Sequence, residues 1–316
     1  MGGKLRRSIA LAALLSLALV AASRPARAAE KITFLHTAVN SFIGLFVAKD
    51  QGILARHGLD VEISLAQNGS VISAALVADS AQIGGPTPTV MLQANEQGLD
   101  LVEIAGTGRY PLPSQSGILA RNDSGIKAAA DLVGRKVAVP GLGGIIDVLT
   151  KKWVQASGAD FRRVDWIELT FPQMGDALKT GLADAIASVD PFYGRVLESK
   201  LGYRIGDYAA VIPAGTVPVV YASTRSWAAR HGADIKELRA ALKEAEIFIR
   251  NPANLGAARE SLARYTKLPP QVAASLSIPD HLDVDPAPES LAFWVEVSRE
   301  QGLIKGNPDP KTLVVE

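Results

Sequence analysis

Four histidines, His36, His57, His231 and His281, are the obvious candidates for metal or acid–base chemistry. They lie far apart, without H-x-x-x-H or H-x-x-E-H spacing, so no local metal site is indicated. The chain has no cysteine. That excludes a disulfide framework, a thiolate metal site, a cysteine nucleophile and a lipid-modified N-terminal cysteine. No G-x-S-x-G elbow is present. Ser124-Gly125-Ile126-Lys127 matches S-x-x-K, but the accompanying K-T-G is missing. The segment reads better as a capped helix start, with Ser124 near the N-cap and Asp131 downstream. Catalytic residues, metal and cofactor are therefore all expected to be absent.

The glycine loops remain. Gly141-Leu142-Gly143-Gly144 follows a strand pattern and precedes a helical one, as a nucleotide loop would. However, G-x-G-x-x-G would need glycine where Ile146 stands, and no Lys-Ser or Lys-Thr follows for a P-loop. Gly106-Thr107-Gly108 fails likewise, because Pro111 takes the third glycine's place. Such loops can still bind a small anion, since glycine admits a close ligand and the next helix offers free amides. Gly84-Gly85-Pro86-Thr87-Pro88 repeats the geometry. Each glycine equally serves a tight strand–helix turn; several such loops in two lobes point to a cleft between the lobes.

The elements that must position these loops alternate. Strands are predicted at Ile32–Leu35, Leu59–Leu65, Ala81–Ile83 and Leu101–Ala105, with helices at 42–50, 70–78 and 88–95 between them. After a Gly/Pro/Ser-rich break over 106–115 a second series begins, with strands at 118–121, 136–139, 164–169 and 185–189. Its helical segments are 127–132, 145–156, 173–180 and 191–199. A strand at 219–223 leads into a wholly helical tail over 226–230, 235–250, 252–265 and 288–301. In the second of these, Ile235, Leu238, Leu242, Ala245, Ile247 and Ile249 are read as one apolar stripe. The succession predicts an α/β protein on mostly parallel sheets.

The 316 residues carry 33 Lys plus Arg against 32 Asp plus Glu, a formal charge of +1. This balance gives no reason to expect a nucleic-acid partner. Lys4, Arg6 and Arg7 precede an apolar run from Ile9 to Ala22, and Ala26-Arg27-Ala28 fits an A-x-A cleavage site, so residues 1–28 read as a secretory signal peptide. The run is too short to span a membrane, which takes ~20 residues. Removing the segment takes away five basic side chains and no acid, leaving 28 bases against 32 acids and a net charge of −4.

The ordered motifs are similar to those of a known family. Phe46-Val47-Ala48-Lys49-Asp50 through Gly58-Leu59-Asp60-Val61-Glu62 resembles the N-terminal signature of periplasmic solute-binding proteins of the nitrate/taurine/sulfonate type. Ala74-Ala75-Leu76 with Asp79 and Gln82-Ile83-Gly84 resembles the step that follows. Asp123 to Lys127 with Asp131 to Pro140 resembles the entry to the second lobe, and Ala177 to Gly181, Asp184-Ala185 and Asp190-Pro191-Phe192 its exit. The resemblance covers roughly residues 31–220. It implies a type II periplasmic binding protein fold: two doubly wound α/β lobes around a ligand cleft, with a helical C-terminal segment. Lobe 1 would combine residues 30–116 and 222–316, and lobe 2 residues 117–221. The family's exit often reads Trp-Glu-Pro; here Val189-Asp190-Pro191 stands instead, so an aromatic is lost and the acid is shorter.

The resemblance also implies a role: a non-enzymatic periplasmic monomer, not lipid-anchored, that captures a small-molecule ligand by lobe closure and delivers it to an ABC transporter permease with its ATPase. The ligand would be a small organic anion of the sulfonate, taurine, nitrate or carboxylate class. Carried over position by position, its contacts would be Thr37, Asn40, Ser41, Phe42, Asn68, Ser70, Gly85, Thr87, Thr107, Arg109, Gly143, Gly144 and Asp190. Arg109 could clamp an anion bidentately. Asn, Ser and Asp at helix starts are equally ordinary caps. Two other roles stay open: an exported or fold-related enzyme acting on a pyrimidine-like heterocycle, disfavoured by the missing cysteines, and a receptor serving a sensor protein.

Overall fold

The computed structural model describes residues 30–108, 116–279 and 281–315, with Ser275 as backbone only. The expected signal segment and Arg109 lie outside the described residues. The first strand, β1 (Lys31–His36), buries alternate residues and sends Ile32, Phe34 and His36 inward, the period-two pattern of a strand with one covered face. It is followed by α1 (Ile43–Asp50), α2 (Ile53–Arg56), β2 (Asp60–Leu65), α3 (Gly69–Val77), β3 (Ile83–Gly84), α4 (Pro88–Glu96) and β4 (Leu101–Gly106). The second series runs β5 (Ser116–Arg121), β6 (Lys136–Val139), α5 (Ile145–Ala156), β7 (Asp165–Glu168), α6 (Phe171–Thr180), β8 (Ala185–Val189), α7 (Phe192–Glu198) and β9 (Gly202–Gly206). After β10 (Val220–Thr224) come α8 (Arg225–Arg230), α9 (Gly232–Arg250), α10 (Leu255–Thr266), α11 (Pro270–Ser275) and α12 (Pro288–Glu300).

Two five-stranded sheets result, ordered β2-β1-β3-β10-β4 and β7-β6-β8-β5-β9. In the first, β1 pairs parallel with β2 and β3, while β10 runs antiparallel between β3 and β4. In the second, β6 pairs parallel with β7 and β8, and β5 runs antiparallel between β8 and β9. The two orders are the same pattern. The mostly parallel expectation is thus modified by one antiparallel strand per sheet, in each case the strand that begins just after the chain changes sheets. The chain crosses between Gly106 and Ser116 and returns between Gly206 and Val220.

Local signals set many boundaries. Thr87 caps α4, with Pro88 at its first turn. Gln173 accepts the Thr170 N–H at the start of α6, and Gly181 ends that helix in the left-handed region at φ 75°. Ser124 is no helix cap: its Oγ accepts from the Ile126 N–H, and the carboxylate of Asp131 accepts the Lys127 and Ala128 N–H groups before a 3-10 turn at 129–132. The expected helix over 252–265 opens with a separate 3-10 turn at Pro252–Asn254. In α9 the buried stripe is Ile235, Leu238, Ala241, Leu242, Ala245 and Ile249. Ile247 is 73% exposed, because two residues beyond Ala245 is roughly 200° around the helix.

One hydrophobic cluster includes Ile72, Met91 and Leu92 beside the first sheet, Val137 of β6 with Val148 and Leu149 of α5 at the second, and Trp294 of α12. Polar contacts follow the same join. Lys152 pairs with Glu300 at 2.5 Å, the Gln301 side chain donates to Val148 O at 2.8 Å, and Trp294 Nε1–H donates to Val217 O at 2.8 Å. At the far edge, Val315 N–H donates to Glu103 O, so the C-terminal segment covers the edge of β4.

On the outer surface, His57 Nδ1 lies 2.9 Å from Glu237 and Nε2 lies 3.0 Å from Glu244, which also pairs with Arg56. Both ring nitrogens can donate only in the imidazolium. The hydrogen bond to Glu237 is the largest influence, and it raises the His57 pKa above its usual value. Its stabilising contribution is therefore complete below the unfolded-state value of about 6.5 and is lost as pH rises through the folded value. The melting difference between wild type and H57Q is expected to be larger near pH ~5.5 than near pH ~8.5, and to shrink in salt. A difference that grew with pH would contradict this assignment.

Candidate functional site

A cavity of about 400 Å³ opens where loops from both sheets converge. The loop after β1 contributes Ala38, Val39, Asn40 and Ser41. The second sheet contributes Ser116 at the start of β5, Ile145 and Ile146 of α5, Phe171 of α6, and Val189 to Phe192 after β8. The return segment adds Asp207 to Ala210, Ile212 and Val219, and the tail adds Leu268 and Leu276. These loops follow the carboxyl ends of β1, β6, β7 and β8, the edge at which open α/β sheets bind ligands.

Most of the lining is apolar, and among the described residues no Lys or Arg takes part. Its two acids are already engaged. Asp190 Oδ1 accepts the Gly194 N–H at 3.0 Å and so caps α7. Asp207 accepts from Ala209 N–H at 2.9 Å and pairs with Arg204 at 3.1 Å. Donor capacity comes from the start of α5. Its N-cap is Gly144, which has no side chain to cap with, and Ile145 and Ile146 of that first turn line the cavity. First-turn amides have no acceptor within the helix, and the helix dipole there favours negative charge.

The loop that aims α5 is held from both sides. Gly143 sits at φ 74°, where a Cβ would lie 2.8 Å from Gln93 Oε1. Gln93, on α4 beside the first sheet, donates to Gly143 O at 3.0 Å. Asp147 accepts the Gly143 N–H at 2.7 Å and pairs with Lys151 at 2.7 Å. Burial nonetheless pushes the Asp147 carboxyl above its usual range, with Lys151 pulling the other way.

Of the residues singled out from the sequence, the cavity gathers Asn40, Ser41 and Asp190. Gly143 and Gly144 stand behind the α5 turn that reaches it. The others have different surroundings. Phe42 is fully buried, packed edge-on against Phe34 and Tyr221. Gly85 lies under it, where a Cβ would be 2.2 Å from the Phe42 ring. Asn68 and Thr87 cap α3 and α4 by accepting the Val71 and Val90 N–H groups, and Ser70 is exposed beside Asn68. Thr107 is 1% exposed and donates its hydroxyl to Val219 O. Thr37 uses its carbonyl to accept from Val39 N–H and from His36 Nδ1. His36 is itself buried among Phe34, Phe42 and Phe46, which depresses its pKa.

Sequence reasoning missed Phe171, Phe192 and Tyr208. Phe171 and Phe192 each open a helix just past a strand, beside Pro172 and Pro191. An aromatic at that position belongs to the carboxyl-end rim, not to a helix stripe, and that was the usable signal.

Similarity to known proteins agrees with the fold. The formylaminopyrimidine-binding protein of Halalkalibacterium halodurans is 30% identical over 149 residues, 47% of this chain and 43% of that protein. A protein of Escherichia coli strain K12 named for binding aliphatic sulfonates is 30% identical over 237 residues, 74% of this chain and 71% of its own. The match thus spans less than half of the first relative's length. Among solved structures, the periplasmic aliphatic sulphonate binding protein SsuA from Escherichia coli superposes with a TM-score of 0.74 at 24% identity, covering 90% of this chain and 97% of that one. These relatives are named as binding proteins, and this chain has the two-sheet fold of SsuA. Residues 39–254 match the family described as NMT1/THI5 like, and the chain belongs to that family.

Proposed function

We propose that this chain is the periplasmic solute-binding component of an ABC importer, which captures a small organic anion and delivers it to a membrane permease with its ATPase. The observation that carries the reading is the mostly apolar cavity of about 400 Å³ lined by loops of both sheets, with Ile145 and Ile146 of the α5 first turn, whose N-cap Gly144 has no capping side chain, among its lining. A sulfonate or carboxylate head would accept hydrogen bonds from the α5 amides, and its organic body would bury against the wall. Names of related proteins, one of them periplasmic by title, support the same role.

The expected lobes shift to follow the sheets: residues 30–106 with 220–315 build one lobe, and 116–206, which take in Ser116 but not Val220 or Tyr221, build the other, joined by the two crossings. The open form admits ligand; the closed form gains contacts from both lobes, so ligand shifts the population by its differential affinity. The chain acts as a monomer, exported by cleavage of residues 1–28, and performs no chemistry on its ligand. Among the described residues no helix is long and apolar enough to cross a membrane.

The test is a thermal-shift panel of sulfonates, carboxylates and pyrimidines on the chain lacking residues 1–28, with product analysis alongside. A ligand at 100 times its Kd adds about 2.7 kcal/mol. We expect shifts from anions without turnover. Shifts from none of them, or conversion of a heterocycle to product, would overturn the reading.

A further inference from the structure

We propose that the cavity selects an anion that carries an aromatic ring, and that Phe171 and Phe192 are the residues that read the ring. This rests on the organic-anion reading above and narrows its ligand class.

Phe171 and Phe192 both line the cavity and lie parallel, with centroids 5.4 Å apart and planes 7° from coplanar. Neither is sealed in the core; both are half-buried at the first positions of α6 and α7. The exposed Arg195 guanidinium lies over the Phe192 ring, 5.7 Å from its centroid, and is not part of the cavity lining. Tyr208 adds a third ring to the lining, with its hydroxyl donating to Ser188 O. Aliphatic Ile145, Ile146 and Ile212 complete the apolar surround.

Size and polarity work against a very small ligand. A volume of about 400 Å³ falls in the range that encloses a molecule of many heavy atoms, roughly 300–1,000 Å³. Nitrate or taurine would leave most of the apolar lining without a contact, whereas a ring would cover it. Electrostatics sets the orientation. The face of a phenyl ring is its negative side, so an anionic head is repelled from the Phe171–Phe192 pair and goes to the α5 turn. A ligand ring, in contrast, extends the existing stack or meets it edge-on.

The experiment is calorimetric titration of the chain lacking residues 1–28 with benzenesulfonate, cyclohexanesulfonate, methanesulfonate, taurine and nitrate. Benzenesulfonate is expected to bind at least about tenfold tighter than methanesulfonate, taurine or nitrate, and measurably tighter than its cyclohexyl counterpart. F171A and F192A are expected to weaken benzenesulfonate more than methanesulfonate, and F192L, which keeps apolar bulk without a ring, to erase the phenyl-over-cyclohexyl preference. Thermal midpoints show that each variant is folded, and the wild-type series stands without them. Binding of taurine, methanesulfonate or nitrate as tightly as benzenesulfonate overturns this inference and leaves the importer reading intact. No heat from any of the five also overturns this inference, while the importer reading is then decided by the carboxylates of the thermal-shift panel.

Discussion

Trp294→Ala is expected to lower the unfolding free energy by about 4 kcal/mol, within the range for truncating a fully buried tryptophan. Trp294 is 0% exposed, meets Phe293 edge-on at 4.9 Å, and shares a core cluster with residues packed beside both sheets. Its Nε1–H also holds Val217 O, in the segment that returns the chain to the first sheet. Truncation removes the ring, leaves a cavity and orphans that carbonyl at once. Set against a total stability of roughly 5–15 kcal/mol, the loss should be plain in urea denaturation. Trp294→Phe keeps most of the ring and loses the donor, so it should cost less than half as much. A loss below about 1 kcal/mol for W294A would show that the join between the sheets does not depend on this side chain.

The second large effect concerns binding. Ala210 is exposed, sits in the 3-10 turn Tyr208–Val211 and lines the cavity. An indole placed there occupies ligand space without displacing any core residue. Ala210→Trp is expected to weaken the best anionic ligand at least about a hundredfold, near 2.7 kcal/mol, while stability changes by no more than about 0.5 kcal/mol. Titration calorimetry and melting together separate the two readouts. Unchanged affinity in A210W would move the ligand elsewhere.

Much of the fold was legible because its elements carry their own local signals. β6, α5 and β8 run over the residues the pattern gave them, since each is a short apolar run or a 3.6-period stripe bounded by glycine or proline. β9 was missed: Gly202-Tyr203-Arg204-Ile205-Gly206 is bracketed by glycines and exists because β5 offers it an edge, a tertiary cause invisible to periodicity. α11, at Pro270–Ser275, was missed for want of a stripe, having barely one turn and a half. Ile247 is apolar yet exposed, so residue type alone does not locate the buried face of α9.

The site was less legible than the fold. Asn40, Ser41 and Asp190 sit at the cavity because loops after strands converge there, a rule of topology readable from strand order. Asn68, Thr87 and Thr107 illustrate the limit: a polar residue at a helix start looks the same whether it meets a ligand or caps the chain, and in these three the partner is backbone. Phe42 and Gly85 show the same limit from the apolar side, since a Cβ on Gly85 would lie 2.2 Å from the Phe42 ring.

The proposed function places one organic anion in the cavity between the two sheets. Its most direct test is titration calorimetry of the chain lacking residues 1–28 and of its A210W variant with the tightest-binding anion of the thermal-shift panel. One site per chain is expected in the wild type, with loss of nearly all heat in A210W at matched stability. Binding that survives A210W undiminished, or more than one equivalent site per chain, would contradict it.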